Sequence, residues 1–367
     1  MHILVGLVDP KQAGGIYVTE SEFLEKCKKR PGMDLETFVF GSRSALDTAA
    51  GRALRLLRDV LSFAILVRGK KPDIIHLNSS FDKRALIRDL FYASVTKVLR
   101  RNLFIKFHGS EVSLLETTQP IFRYLSHKLF KWVSAFGVLS NEERANFLSA
   151  GVPAAKVFVV KNAVNPLWYC RDPAFRPRHN IDLHSPVILF TGRLIPTKGL
   201  IDVIRALALV RDQGQDFVFL CLGDGPTRTQ ADLEVERLRL RERVRFLGHV
   251  PEEQTREFYA NATMLVFPTY HQEGFPMTIF QSVAAGIPVI TTRIRAAADY
   301  LKEPDNCLWV EPRNPEMLAD RILRLCRDDK ARVMMGQNNR TIAAQFSAQC
   351  VTDELVLIFN RVCSVNL

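Results

Sequence analysis

The stretch HQEGFPMTIFQSVAAGIPVITT, running from His271 to Thr292, decides how this 367-residue chain folds. Ahead of it, Met264 to Phe267 is a short apolar run of strand type, and Pro268 to Gly274 is a loop. Pro276 suits a first helical turn, Gly286 closes the helix, and Pro288 prevents its return, so a second strand begins at Val289 and Ile290. Strand, loop, helix, strand is the repeating unit of a parallel α/β sheet. The backbone N–H groups of about Phe275 to Thr278 lack intrahelical partners, and with the positive end of the helix dipole they form a site for an anion or a hydroxyl. Glu273 stands just before this helix and Gln281 a little over a turn inside it, so both can reach one ligand from two depths. An ordinary strand-loop-helix with a surface acid fits the same letters.

Upstream, the same alternation extends over Val187–Thr191, Phe217–Leu222 and Val244–Leu247, and downstream over Val289–Thr292 and Leu308–Val310. These strands and the helical stretches between them predict a doubly wound domain. Ligands of such sheets bind past the C-terminal ends of the strands. Past the first strand lies Gly192-Arg193-Leu194-Ile195-Pro196-Thr197-Lys198-Gly199, where a guanidinium and an ammonium five residues apart can converge on a polyanion such as a diphosphate. Two solvated surface cations are the plain alternative. Gly223-Asp224-Gly225-Pro226 and Gly248-His249-Val250 occupy the next two strand ends, where a nucleoside can lie or where simple turns suffice.

The N-terminal half carries a second series, with strands near His2–Val8, Glu36–Phe40, Asp73–Asn78, Leu103–Phe107, Phe136–Leu139 and Val157–Val160. Past its first strand, Gly14 and Gly15 open a helix near Ile16; a glycine pair admits close approach of a phosphate or sugar, but it is also a common turn. The spacing lacks a full G-x-G-x-x-G, which speaks against a nicotinamide dinucleotide. Polar residues follow the third and fourth strands: His76 to Ser80, and His108-Gly109-Ser110-Glu111, with His108 placed to hydrogen-bond a sugar or phosphate oxygen or simply packed under a loop. Prolines 166, 173, 177 and 186 crowd the junction between the two series.

Hydrophobic content of 47% and charged content of 24% suit a globular protein of two domains. No uninterrupted apolar run reaches the roughly 18 residues of a bilayer span, and the N-terminus reads as a buried strand instead of a leader. Seven scattered cysteines without a C-x-x-C predict reduced thiols and no structural zinc. Of the formal charge of +11, nearly all falls on residues 1–170, which hold 25 Lys and Arg against 15 Asp and Glu. Two segments there are basic and apolar together. In the segment 52–71 the apolar positions are expected to be core; the segment 121–133, with aromatics on more than one face, is the stronger candidate for an anionic membrane surface. No zinc finger, recognition helix or aromatic pair supports nucleic-acid binding.

Taken together, these motifs resemble the retaining, nucleotide-sugar-dependent glycosyltransferases of family 4. The resemblance implies an α/β chain of GT-B fold, with two Rossmann-like doubly wound domains facing a central cleft. They would comprise residues 1–165 on the acceptor side, with a C-terminal helix of about 350–367 packing back on it, and residues 166–349 for the nucleotide-sugar donor. GRLIPTKG looks like the family's diphosphate-binding loop, which assigns that role to Arg193 and Lys198. GDGP and FLGHV look like its nucleotide-side segments, giving Gly223 and a backbone contact from Val250 to the base. EGFPMTIFQ is similar to its signature of two glutamates separated by seven residues. Glu273 then lies against the donor sugar, and the backbone of Gly274, Phe275, Pro276 and Met277 holds sugar hydroxyls and phosphate. Gly14, Gly15 and His108 match its N-terminal glycine loop and active-site histidine.

The chemistry so implied is transfer of a hexose from a UDP- or GDP-linked sugar to a glycan or lipid-linked acceptor, in assembly of surface polysaccharide such as lipopolysaccharide. No metal and no cofactor are expected, no nucleic acid is a partner, and the location implied is cytoplasmic, with peripheral attachment to the inner face of the cell membrane. One position departs from the pattern: the second glutamate, which would bind the donor ribose, is Gln281, and the loss of its charge predicts donor binding weaker by about 1 kcal/mol. That departure leaves open a donor-binding but inactive partner subunit; a nucleotide-sugar epimerase of the same fold is a further alternative.

Overall fold

The structure, a computed structural model, describes residues 1–7, 15–40 and 49–364. The chain divides into two compact units, Met1–Ala163 with Ala348–Leu367, and Val164–Ser347. Each is built on a six-stranded, wholly parallel sheet.

In the first unit the strands are β1 (His2–Leu7), β2 (Asp34–Val39), β3 (Ile74–Phe81), β4 (Asn102–Ser110), β5 (Ala135–Val138) and β6 (Val157–Val159), in the order β2-β1-β3-β4-β5-β6. Alternate residues of β3 and β4 serve the two faces of the sheet. Ile75, Leu77, Leu103, Ile105 and Phe107 enter a core with Phe63, Tyr92 and Phe130 from the helices Ala49–Lys70, Lys83–Val98 and Pro120–Trp132. His76 and Phe104 turn to the other face, where Phe23 of the helix Gly15–Lys28 and Phe359 of the helix Ala348–Ser364 meet them edge to face.

In the second unit β7 (Val187–Thr191), β8 (Val218–Leu222), β9 (Val244–Gly248), β10 (Met264–Phe267), β11 (Val289–Thr291) and β12 (Cys307–Trp309) take the order β12-β11-β10-β7-β8-β9. The chain starts in the middle at β7, runs outward to β9, then returns to lay β10 against the other side of β7. That reversal creates a crevice between the loops that leave β7 and β10. Those two loops are Gly192–Gly199 and Pro268–Gly274.

Two expectations require correction. His76, Asn78 and His108 lie inside their strands, because the ladder continues to Phe81 and Ser110 with a register shift between Ser79 and Phe81. The helix Ala49–Lys70 carries two apolar stripes: Leu56, Val60, Phe63 and Val67 meet the core, whereas Leu54, Leu57, Leu61 and Ile65 are 70%, 52%, 65% and 74% exposed. The segment Asp329–Ser364 has the length and mean hydropathy of a bilayer span, although it comprises two helices interrupted around Ser347 and much of its apolar surface is core. None of the seven cysteines is in a disulfide.

Candidate functional site

The crevice of the second unit is stitched from backbone. Gly192 N donates to Leu222 O, Leu194 N to Asp224 O, and Gly223 N to Gly248 O, tying together the loops after β7, β8 and β9. At Gly223, with φ +127°, a Cβ would lie 1.9 Å from Gly192 O, so only glycine lets these loops approach. Tyr270 N donates to Thr197 O, and a Cβ on Gly199 would lie 2.6 Å from Pro268 O, so the loops after β7 and β10 are also in contact.

The helix Met277–Ala285 starts at this junction. Its first intrahelical bonds run from Ile279 N and Phe280 N to Pro276 O, which leaves the N–H groups of Met277 and Thr278 ahead of them. Pro276 is the residue before the helix, one place earlier than the sequence suggests. Thr278 Oγ1 donates to Thr191 O at the end of β7, fixing the helix tip beside the cationic loop. Underneath, the Phe275 ring stacks on Phe280 at 3.7 Å, and both meet Tyr300 and Phe346, which anchors Gly274 and Phe275 in buried positions.

Lys198 and Glu273 form an ion pair with side chains only 12% and 18% exposed. Burial first, and the Arg193 guanidinium second, draw the Lys198 ammonium down to about 8. Lys198 is therefore not the solvated surface cation of the plain alternative, whereas Arg193 is exposed. Thr197 Oγ1 and His271 Nδ1 lie 3.0 Å apart, and burial followed by Lys198, Arg193 and Arg295 lowers the His271 pKa. Arg295, 4% exposed, donates to Gln272 O. His271 and Arg295 were missed in the sequence; the first was visible as the residue opening the quoted stretch, the second had no local signal. Val250, half-buried, and Gly223 sit at the neighbouring strand ends. Gln281 is 8% exposed, and its Nε2 donates to Glu252 Oε1.

In the first unit, Gly15 begins a helix and Gly14 lies outside the described residues. Further along that helix, Glu20 is buried against Lys106, whose Nζ donates to Glu20 Oε1 at 2.8 Å. His76 and His108 stand 3.9 and 4.0 Å from the Glu20 carboxylate. Asn78 Nδ2 donates to Gly6 O, which turns Asn78 Oδ1 toward His108 Nε2 at 2.9 Å. That carbonyl oxygen requires His108 Nε2 to be the protonated nitrogen and leaves Nδ1 as an acceptor. Burial, with Lys106 second, lowers His108 to about 3, so it is a neutral hydrogen-bonding group at physiological pH.

Burial alone would raise Glu20, but Lys106, His76 and His108 together pull it to about 2, below its ordinary 4.5. Its contribution to stability is present above 4.5 and lost as pH falls toward 2. His76, lowered chiefly by burial to about 4, and His108 bind protons more readily unfolded than folded below their ordinary 6.5, so their contribution also falls on acidification. The melting temperature is expected to decline progressively from about pH 6.5 downward, and His76→Phe, which keeps the aromatic packing, to flatten the upper part of that decline. Melts followed by circular dichroism from pH 7 to pH 4 test this; an unchanging value contradicts it.

Two other features lie away from these groups. A groove of about 960 Å³ among Arg171, Arg176, Ile287, Arg332 and Arg340 opens at the N-terminal edge of the second sheet, opposite the crevice. Among the described residues, ligand atoms of His2, Asp34 and Glu36 come within 4.8 Å of one another at the starts of β1 and β2, where Glu36 accepts from Lys70.

Comparison with known proteins gives two family models. "Glycosyl transferases group 1" matches residues 172–342, and "Glycosyltransferase Family 4" matches residues 28–166. A D-inositol 3-phosphate glycosyltransferase of Corynebacterium efficiens is 32% identical over 188 residues, 49% of this chain and 44% of the relative. The capsular polysaccharide biosynthesis glycosyltransferase CapM of Staphylococcus aureus is 30% identical over 177 residues, 47% of this chain and 46% of the relative. These matches thus span less than half the length of either relative. Among solved structures, Anabaena HepE in complex with UDP and glucose superposes with a TM-score of 0.76 at 18% identity, covering 97% of this chain and 98% of that one.

Proposed function

This chain belongs to the family 4 glycosyltransferases and has the GT-B fold, and we propose on that basis that it transfers a sugar, with retention of anomeric configuration, from a nucleoside-diphosphate sugar to an acceptor hydroxyl. The observation that carries this reading is the meeting, at the switch point of the second sheet, of Lys198, Glu273, Arg193 and an unsatisfied helix tip. A departing nucleoside diphosphate gathers negative charge on its phosphate oxygens. Lys198, Arg193 and the N–H groups of Met277 and Thr278 supply fixed positive potential where that charge appears. Before the donor binds, Glu273 neutralises Lys198; once phosphate takes the ammonium, the carboxylate is released to hold sugar hydroxyls. The bond from the anomeric carbon to the phosphate oxygen breaks, the bond to the acceptor oxygen forms on the same face, and the acceptor proton passes to the leaving phosphate.

The acceptor is a glycan or lipid-linked hydroxyl, as the similarity to a capsular polysaccharide enzyme supports, and the protein works in the cytoplasm against the inner face of the membrane. The exposed stripe Leu54, Leu57, Leu61 and Ile65, with Arg58 and Arg68 beside it, offers a longer apolar surface to an anionic bilayer than the segment 121–133, where Ile121 and Tyr124 are exposed but Leu129 and Phe130 are buried. Changing Leu57 and Leu61 to glutamate is expected to abolish most flotation with anionic liposomes at low salt while leaving melting unchanged; undiminished flotation contradicts it.

The enzymatic reading is tested by incubating the purified chain with UDP- and GDP-linked sugars and polyprenyl-linked or oligosaccharide acceptors. Release of nucleoside diphosphate with formation of a glycosidic product is expected. Binding of donor without product or slow hydrolysis, over the whole panel, would favour the inactive partner subunit.

A further inference from the structure

Gln281 lies three residues beyond Thr278 on the Met277–Ala285 helix, so the two share a face one turn apart. Thr278 is fixed to the end of β7, beside the cationic loop. A ligand whose diphosphate meets the helix tip therefore extends its next portion toward Gln281. At that point a second helix arrives, Glu252–Asn261, whose first residue accepts the Gln281 amide hydrogen on Oε1.

The bond has consequences for what the site can offer. A primary amide has one acceptor oxygen and one donor nitrogen, and here the nitrogen is already engaged. What remains is Gln281 Oε1 and the second oxygen of Glu252, two acceptors held on neighbouring helices by that bond, of which the carboxylate oxygen carries the charge. Arg256, the cation acting on Glu252, is stacked 3.6 Å from the Trp168 ring and makes no ion pair with Glu252 among the described residues. Burial raises the Glu252 pKa, with the Gln281 hydrogen bond and Arg256 opposing, as befits a carboxylate withdrawn from water without a full set of partners.

We propose that Gln281 and Glu252 act as one unit that binds the vicinal diol of the donor ribose, so that the carboxylate absent from position 281 is supplied from the neighbouring helix by Glu252. A cis-diol presents two O–H donors at adjacent carbons, and the pair presents two acceptors, one of them charged. This rests on the reading of the donor as a nucleoside-diphosphate sugar. It also replaces the expectation that Gln281 weakens donor binding by removing a charge: the charge is relocated, and Glu252 becomes a specificity-determining residue.

The test measures dissociation constants by calorimetry for UDP and 2′,3′-dideoxy-UDP, and for the guanine pair, with wild type, Glu252→Gln and Gln281→Glu at pH 7.5. Wild type is expected to prefer the ribonucleotide at least tenfold. Glu252→Gln, which presents an amide N–H where the diol needs an acceptor, should reduce that preference to threefold or less. Gln281→Glu restores the residue found in the family pattern, yet here it sets two carboxylates together, so it should weaken ribonucleotide binding at least fivefold. Should Glu252→Gln keep the tenfold preference, or Gln281→Glu bind more tightly than wild type, the proposal is overturned while the donor reading stands. If wild type binds neither diphosphate, both fall together.

Discussion

On the proposed function, replacing Lys198 by alanine is expected to lower sugar transfer about a hundredfold, a loss of roughly 2.7 kcal/mol of transition-state stabilisation. Two effects combine. The ammonium that would neutralise the leaving diphosphate disappears, and Glu273, with a side chain only 18% exposed, is left without its cation and repels the donor phosphates. Glu273→Ala removes the second effect and is expected to cost less, about tenfold. The pH profile separates a charge role from a packing role. Lys198, drawn to about 8 by burial and by Arg193, is cationic below that value and neutral above it. Transfer should therefore fall as pH rises through about 8. Lys198→Arg stays charged throughout, so it should lose that alkaline limb even where its absolute rate is lower. Rates of wild type and Lys198→Arg between pH 6 and pH 10, with circular dichroism to verify folding, decide the matter. An alkaline limb unchanged in Lys198→Arg would assign it to another group.

Replacing Glu20 by alanine is expected to destabilise the first unit by about 3–5 kcal/mol. Lys106 is 2% exposed and Glu20 0%, and removing the carboxylate strands an ammonium beneath the sheet face shared by His76 and Phe104. Removing both charges has the opposite logic. Glu20→Leu with Lys106→Met exchanges a buried ion pair for apolar contacts and is expected to recover most of the lost stability. Urea unfolding of the three proteins tests this; a double variant no more stable than Glu20→Ala would show that the pair holds the unit together by more than charge compensation.

The sheets were legible because a parallel strand covered on both faces is a nearly unbroken apolar run, and proline or glycine marks where each helix yields to the next strand. Gly286 and Pro288 did so for β11. The boundaries failed where polar residues continue a strand. His108 reads as a loop residue, yet its partner Asn78 lies 30 positions away, and the Glu20 that balances Lys106 lies 86 positions away. Such pairings are invisible to local pattern. The exposed stripe of the Ala49–Lys70 helix was hidden for a related reason: its two apolar faces interleave, and only the fold decides which one meets the sheet. Within the crevice, the sequence indicated Arg193, Lys198, Glu273 and the helix tip through their positions after strands. Arg295 and Glu252 join them only through tertiary approach.

Calorimetric titration of UDP and GDP into wild type and into an Arg193→Ala, Lys198→Ala double variant tests the diphosphate site itself. One of the two nucleotides is expected to bind wild type with a stoichiometry of one and to bind the double variant at least thirtyfold more weakly, with both proteins folded by circular dichroism at the titration temperature. Equal affinity in the two proteins, or no binding of either nucleotide to wild type, would contradict it.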